Sequence, residues 1–257
     1  MLLGFVLGAG KEDLYAHPEP SVSPEALARY ETLVARRARG EPVAYLRGLK
    51  EFYGLELAVD PRVLIPRPES ELLVEEAARR VASHPAPLVC ELGTGSGAIA
   101  IALAVSIRRA RIIASDSSAE AVDVARRNAR RHRVTDRIAF RVGDLFDPVP
   151  ERLDALVANL PYLTTAQVDA CDGTSLAFEP RAALDGGLDG LDVIRRAARD
   201  LPAHLSEDGS ALFECAPTQT PAVAAVLGRV LGRVEIVRDL AGDERVVVGS
   251  TLLAPRD

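Results

Sequence analysis

The sequence predicts an α/β fold built on a mostly parallel seven-stranded sheet with helices on both faces, preceded by a small helical section and a connecting β-hairpin. Three observations predict it. From residue 87 onward, short and nearly continuous apolar runs alternate with helix-patterned segments; such runs are strands buried on both faces, as parallel strands with crossover helices require. Glycines cluster at the first strand-to-helix junction, in "ELGTGSG". Acidic or amide residues end the next strands, in "RIIASD", "RVGDLF" and "ALVANLPY", the edge where open α/β sheets carry ligands.

Residues 1–50 read as helical, with too little sequence for a strong core of their own. In "SPEALARYETLVARRARG", Ser23 is an N-cap, Pro24 opens the helix, Leu27 and Val34 mark its apolar side, and Gly40 stops it. The apolar start "MLLGFVLGAGKEDL" has no basic leader and turns polar at Lys11, so it reads as a buried helix and not a signal peptide. Residues 51–68 form a short hairpin and a proline-stiffened connector, with Phe52 expected in packing. Residues 69–257 form the main domain. A helix starts near Glu69, and the strands are "PLVCEL", "RIIASD", "RIAFRVGD", "LDALVANL", "SALFECA", "RVEIVRD" and "ERVVVGSTLL". Helices are expected at 97–106, 118–131, 189–204 and 219–230, and a loop-rich insert covers 163–188.

Composition narrows the function. A chain of 257 residues has room for one substantial domain and an appendage, and no apolar run is long enough to span a bilayer; the cytoplasm is the expected compartment. Cys90, Cys171 and Cys215 are odd in number and far apart, and the four histidines lack ligand spacing, so neither a disulfide framework nor a structural metal is expected. A net charge of −6 argues against a surface built to grip nucleic acid. The dense run Arg126, Arg127, Arg130, Arg131, Arg133, Arg137 and Arg141 has two readings: a solvated helix and turn helped by an Asp123–Arg127 pair, which is favoured, or a contact surface for a negatively charged assembly.

The strand ends suggest an adenosine-shaped crevice. Gly93, Gly95 and Gly97 permit a tight turn and close ligand approach, but the pattern is neither the dinucleotide fingerprint nor a Walker motif. Asp116 stands where a carboxylate meets ribose hydroxyls. Ser117 with Glu120 forms a plausible capping box for the next helix, leaving Asp116 for the ligand. Asp144 offers an acceptor for an adenine amino group, with Leu145 or Phe146 along the ring. An adenosine pocket without phosphate signatures suggests S-adenosylmethionine. In "NLPY", the Asn159 side-chain oxygen and the Leu160 carbonyl are two acceptors held by a Pro161-stiffened turn, suited to holding an NH2 group, and Tyr162 walls off a planar group.

These motifs resemble class I S-adenosylmethionine-dependent methyltransferases that modify planar nitrogens with an Asn-Pro-Pro-Tyr motif, a group that includes adenine-N6 DNA methyltransferases. "GEPVAYLRGLKEFYGLELAVDPRVLIPRPESELLVE", "FEPRAALDGGLDGLDVIRR" and "RDLAGDERVVVG" resemble, more narrowly, the peptide chain release factor glutamine N5-methyltransferase family, over nearly the whole chain. That resemblance implies a Rossmann-like class I methyltransferase fold and methylation of the glutamine amide in the Gly-Gly-Gln loop of bacterial class I release factors. It implies a cofactor site from Glu91, Gly93, Thr94, Gly95, Ser96, Gly97, Asp116, Asp144, Leu145 and Asn159. The amide would be held by Asn159 and the carbonyl of Leu160, in a slot shaped by Pro161 and Tyr162.

The resemblance also implies that the N-terminal helices bind the body of the release factor. No membrane, metal or direct DNA contact is expected, and the chain is expected to act as a monomer. Three departures stand out: Leu160 replaces the usual first proline, Glu91 replaces a common aspartate, and the N-terminal section enters the family pattern late, as if a first helix were missing. Arg67, Glu69 and Glu71 of "PRPESE" either stiffen the joint or line the cleft mouth, and Glu179, Pro180 and Arg181 either fold the insert back or close over the slot. The competing functions are an adenine-N6 nucleic-acid methyltransferase and a non-catalytic binding protein disabled at Leu160.

Overall fold

The computed structural model describes residues 1–17 and 21–253. The chain begins with helices α1 (Leu2–Leu7), α2 (Lys11–Ala16), α3 (Pro24–Ala38) and α4 (Val43–Arg47), followed by the antiparallel hairpin β1 (Leu49–Phe52) and β2 (Leu55–Ala58). After the connector come α5 (Glu71–Arg80), β3 (Leu88–Leu92), α6 (Ala98–Ser106), β4 (Arg111–Asp116), α7 (Ala119–Arg131), β5 (Ile138–Val142) and β6 (Leu153–Ala158). The insert holds α8 (Thr165–Asp169); then follow α9 (Asp192–His204), β7 (Leu205–Glu214), α10 (Thr220–Leu227), β8 (Leu231–Arg238) and β9 (Glu244–Leu252). The expected sheet is present, with seven strands in the order β5-β4-β3-β6-β7-β9-β8, parallel except for the antiparallel β9.

Periodicity explains how the layers pack. In α6, "AIAIALAVS", every residue from Ala98 to Ala104 is buried; a helix apolar on all sides is covered on all sides. It lies against β3 and β4 and is flanked by α5 and α7. The polar outer face belongs to α7, which buries Val122, Val124, Ala125 and Ala129 and turns its arginines outward. Each fully buried Leu or Ile stabilises this core by roughly 1.5–3 kcal/mol.

Several local expectations are corrected. α3 has the expected Ser23 cap, whose Oγ accepts from the Ala26 N–H at 3.2 Å, but Leu33 is its buried residue, while Leu27 and Val34 are 46% and 40% exposed. α1 is helical as expected yet not buried: only Gly4 is, and Phe5 and Leu7 are exposed, because the helix packs on one side only, against α3 and α4. Ser118, one residue later than expected, caps α7 and accepts from the Ala121 N–H at 3.2 Å. Arg126 pairs with Asp123, while Arg127 reaches Asp60 at 3.3 Å and Arg131 reaches Glu56 at 2.9 Å. Two arginines of the basic run, Arg127 and Arg131, therefore tie α7 to the hairpin region. Phe52 is buried in the core, as expected.

One side chain holds three parts of the fold together. Asn128, buried on α7, accepts from the Ala58 N–H at 2.8 Å and donates to the Ala58 carbonyl at 2.9 Å and the Ser96 carbonyl at 2.8 Å. It joins helix, hairpin and glycine loop, with both amide hydrogens and its oxygen directed at backbone. The connector is fixed beside it: Tyr45 of α4 donates its hydroxyl hydrogen to the Val63 carbonyl at 2.6 Å, and Tyr45, Val59, Val63 and Ile65 pack with Ala121 and Val124. Replacing Asn128 by alanine leaves buried backbone groups unsatisfied, so Asn128→Ala should lower stability by about 2–4 kcal/mol. A lower denaturant midpoint at unchanged slope checks this.

Candidate active site

The parallel register brings the ends of β3, β4 and β6 to one edge. Leu92 stands opposite Ser115 on one side and Ala158 on the other, so Gly93, Asp116 and Asn159 leave their strands as neighbours. They border a cleft of about 440 Å³. Its walls include Gly93, Gly95, Asp116, Asp144, Leu145 and Asn159, with Leu160 and Pro161 at one end. The connector (residues 61–64), the insert (Pro180, Ala183) and α9 (Val193, Arg196) close the other sides. A second cavity of about 200 Å³ lies beyond, bounded by Arg67, Tyr162, Leu163, Leu176 and Leu184. Leu64, Asn159, Leu160 and Ala183 line both cavities, so the amide motif sits at their junction.

The glycine loop shapes the cleft without forming an anion cradle. Gly93, Gly95 and Gly97 have φ of +73°, +53° and +81°, a region that favours glycine. A Cβ on Gly97 would press on Ala125 at 3.0 Å, and one on Gly93 would meet the Leu160 side chain at 3.3 Å, whereas one on Gly95 would point into open space. The Gly93 and Thr94 N–H groups both donate to the Ser115 carbonyl at 2.9 Å, Gly95 donates to Asp116 Oδ2 at 2.9 Å, and Gly97 donates to the Thr94 carbonyl at 2.8 Å. All four of these N–H groups are thus engaged within the fold. A phosphate finds no nest in them; a cationic sulfonium with an adenosine needs none.

Glu91, Thr94, Ser96 and Gly97 stand behind the cleft wall and not in it. Glu91 Oε2 accepts from Thr94 Oγ1 at 2.6 Å and from the Ala100 N–H at 3.0 Å, tying the loop to the start of α6. Asp116 accepts from the Ser118 N–H at 2.9 Å as well as from Gly95, and burial raises its pKa against these two bonds. Leu145 has φ +46°, a left-handed strain of about 1–2 kcal/mol for a non-glycine residue, placed where its backbone borders the cleft. Asp144 Oδ2 accepts from Arg196, an arginine on α9 that no local pattern marked. Its other oxygen faces no donor among the described residues.

Around "NLPY", Asn159 Nδ2 donates to Ser70 Oγ at 2.9 Å. No donor among the described residues reaches Asn159 Oδ1 or the Leu160 carbonyl. The Leu160 side chain is buried in the core and fills space beside Gly93. The Tyr162 ring is largely buried; its carbonyl accepts from Gln219 Nε2 at 2.8 Å and its hydroxyl donates to Glu214 at 3.4 Å. Glu179 is buried and accepts from the Ile65 N–H at 2.9 Å and from Arg67 at 2.5 Å, so it clamps the insert to the connector at the mouth of the second cavity. Glu69 is exposed, and Glu71 accepts from the Tyr53 N–H at 2.8 Å in the hairpin. Among the described residues, no group of three or more His, Cys, Asp or Glu is placed to hold a metal.

Burial pushes the Glu91 carboxyl up to about 8, against the bonds from Thr94 and Ala100. Its ordinary value is 4.5. Between those values the folded chain binds more protons than the unfolded one, so stability falls as pH rises through the window. Glu91→Gln keeps an oxygen for both donors and has no proton to lose. It should match the wild type near pH 4.5 and exceed it in stability at pH 8, as read by denaturant melts at both pH values; a difference independent of pH contradicts this.

Comparison with known proteins agrees with the geometry. Residues 1–48 match the family model described as the PrmC N-terminal domain, and residues 68–187 match the methyltransferase small domain. The chain is 41% identical over 229 residues to the release factor glutamine methyltransferase of Geobacter sulfurreducens, covering 89% of this chain and 79% of that one. It is 41% identical over 252 residues to the enzyme of the same name from Bordetella pertussis, covering 97% and 92%. In fold it is similar to the ribosomal protein L11 methylase of Lactobacillus delbrueckii subsp. bulgaricus, with a TM-score of 0.54, 22% identity and 75% and 83% coverage. It is also similar to a methyltransferase from Pyrococcus furiosus, with a TM-score of 0.55, 14% identity and 84% and 98% coverage. The sheet is that of class I methyltransferases, the cofactor is S-adenosylmethionine, and the chain belongs to the release factor glutamine methyltransferase family.

Proposed function

We propose that this chain methylates the side-chain amide nitrogen of the glutamine in the Gly-Gly-Gln loop of bacterial class I peptide chain release factors. The observation that carries the reading is the place of Asn159 and Leu160, which line both cavities and whose Oδ1 and carbonyl oxygen receive no bond from the described residues. The larger cavity has the size of an adenosine-bearing ligand; the smaller, mostly apolar one suits the stem of a glutamine side chain. The family relatives favour a protein acceptor over the nucleic-acid alternative.

Asp116 holds the ribose hydroxyls, Asp144 with Leu145 meets the adenine edge, and Gly93 to Gly95 border the methionine part; Glu91, Thr94, Ser96 and Gly97 support that loop from behind. S-adenosylmethionine, when bound, supplies an electrophilic methyl group. Asn159 Oδ1 and the Leu160 carbonyl each accept one N–H of the glutamine amide, which turns the nitrogen toward the larger cavity and stabilises the positive charge that grows on it. Pro161 stiffens the turn and Tyr162 walls the slot. A nitrogen–carbon bond forms, the sulfur–methyl bond breaks, and the amide nitrogen releases one proton to water. No nucleophilic side chain takes part.

The N-terminal helices, residues 1–50, are proposed to hold the release-factor body. The exposed Phe5, Leu27 and Val34 support this, because apolar groups left outward on a small helical unit suit a protein partner. Among the described residues no helix is long and apolar enough to cross a membrane. A cytoplasmic monomer is the proposed working form, since one chain supplies every group named above.

With labelled S-adenosylmethionine, the purified chain should label an unmodified bacterial release factor, and Gln→Ala in its Gly-Gly-Gln loop should abolish the label. Labelling of DNA and not of release factor overturns the assignment. Asn159→Ala should lower turnover by roughly 10²–10³-fold with cofactor affinity retained, the size expected for one lost charge-stabilising contact.

A further inference from the structure

Behind the amide motif lies a buried acid with no place in the reaction described above. Glu214 ends β7 and is 1% exposed. Its Oε1 accepts from the Tyr162 hydroxyl at 3.4 Å. Oε2 is buried with no hydrogen-bond partner, and the buried Ser70 hydroxyl is a neighbour that favours the charged carboxylate. Ser70 Oγ in turn accepts from Asn159 Nδ2 at 2.9 Å. An acid buried with an oxygen unsatisfied destabilises a fold, and Glu214 accepts from one polar side chain that backs the proposed acceptor slot, Tyr162, and neighbours the other, Ser70.

Hydrogen-bond polarity gives this chain a direction. A carboxylate only accepts, so the Tyr162 hydroxyl donates to it, and a Ser70 hydroxyl turned to the open Oε2 would do the same. Ser70 Oγ then has only lone pairs to offer Asn159, which must present its NH2 to Ser70 and its Oδ1 to the slot. With a neutral group at position 214, Ser70 is free to turn and donate to Asn159 Oδ1. The amide then swings over and sets its own NH2 against the NH2 of the incoming glutamine, donor against donor. We propose that Glu214 is a positioning residue whose carboxylate, acting through Ser70, fixes the Asn159 amide with its oxygen toward the acceptor and, through its hydroxyl, steadies Tyr162. This rests on the glutamine-methylation reading.

The surroundings leave that carboxylate close to its titration point. Burial pushes Glu214 up to about 7; Ser70, Arg245 of β9 and Tyr162 favour its charge, and Glu69 opposes it. Arg245 is shared with Asp239 at 3.3 Å. The positioning is therefore complete above pH 7 and lost as pH falls through that value.

The test uses the full chain with labelled S-adenosylmethionine and unmodified release factor between pH 5.5 and 9. Wild-type kcat should fall about tenfold per pH unit below about pH 7. Glu214→Gln should lower kcat by about 10–100-fold at pH 8, change cofactor affinity less than about twofold, and flatten the acidic limb. Ser70→Ala should lose the same limb, and the double variant should be no slower than either single one; this arm also decides the matter if Glu214→Gln does not fold. Independently of activity, the ¹⁵N-labelled side-chain amide of Asn159 should shift with a midpoint near pH 7 in the wild type and not in Glu214→Gln. Near-wild-type kcat in Glu214→Gln, an acidic limb that survives it, or an Asn159 amide blind to pH overturns the proposal. Wild-type protein that labels no release factor overturns the functional reading instead, and the amide signal still reports on Glu214.

Discussion

The close approach of two strand ends organises this molecule. β3 and β6 run parallel with Leu92 opposite Ala158, so the turns that follow them touch, and a Cβ on Gly93 would already press on Leu160. That contact sets the glycine loop beside the amide turn and makes the two cavities adjoin at Asn159 and Leu160. Parallel strands deliver their C-terminal ends to one edge, which is why one register brings Gly93, Asp116 and Asn159 together. The leucine at position 160 fits the same logic. Its side chain packs into the core on the Gly93 side, and the group proposed for chemistry is its backbone carbonyl.

Three acids support this edge, Glu91 and Glu214 buried and Asp116 half-buried, and each is disfavoured as an ion by desolvation. Glu91 ties the loop to α6, Asp116 joins the loop to the start of α7, and Glu214 backs the amide motif. For all three, burial is the leading cause of a raised pKa. An apolar residue at any of them would spare the desolvation cost but would release loop N–H groups or hydroxyls from fixed directions. Stability is given up at the edge where orientation matters, while α6 is apolar from Ala98 to Ala104.

Much of this was legible in the sequence because it is local. Apolar runs of strand length, the glycine cluster and the polar strand ends all appear within short windows, and they led to the sheet and to Asp116, Asp144 and Asn159 at its edge. The residues that escaped are those whose partners lie far along the chain. Asn128 bonds Ala58 and Arg196 bonds Asp144; neither stands in a pattern of its own. Glu214 sits in "SALFECA", where a lone acid at the end of an apolar strand gives no hint of Ser70. The cap of α7 was displaced by one residue because Ser117 and Ser118 offer the same side chain, and only the Asp116 bond to Ser118 chooses between them. The start of the chain reads as a buried helix, yet α1 is largely uncovered, because an apolar run reports a buried face only when the fold supplies something to cover it.

The central claim is that two oxygens, one from a side chain and one from the backbone, hold the acceptor nitrogen. The most direct measurement is a crystal structure of the chain with S-adenosylhomocysteine and a Gly-Gly-Gln peptide. The account predicts the glutamine amide nitrogen within about 3 Å of both Asn159 Oδ1 and the Leu160 carbonyl, with its free face toward the sulfur. A glutamine held by other groups, or an Asn159 that presents its NH2 to the peptide, contradicts it.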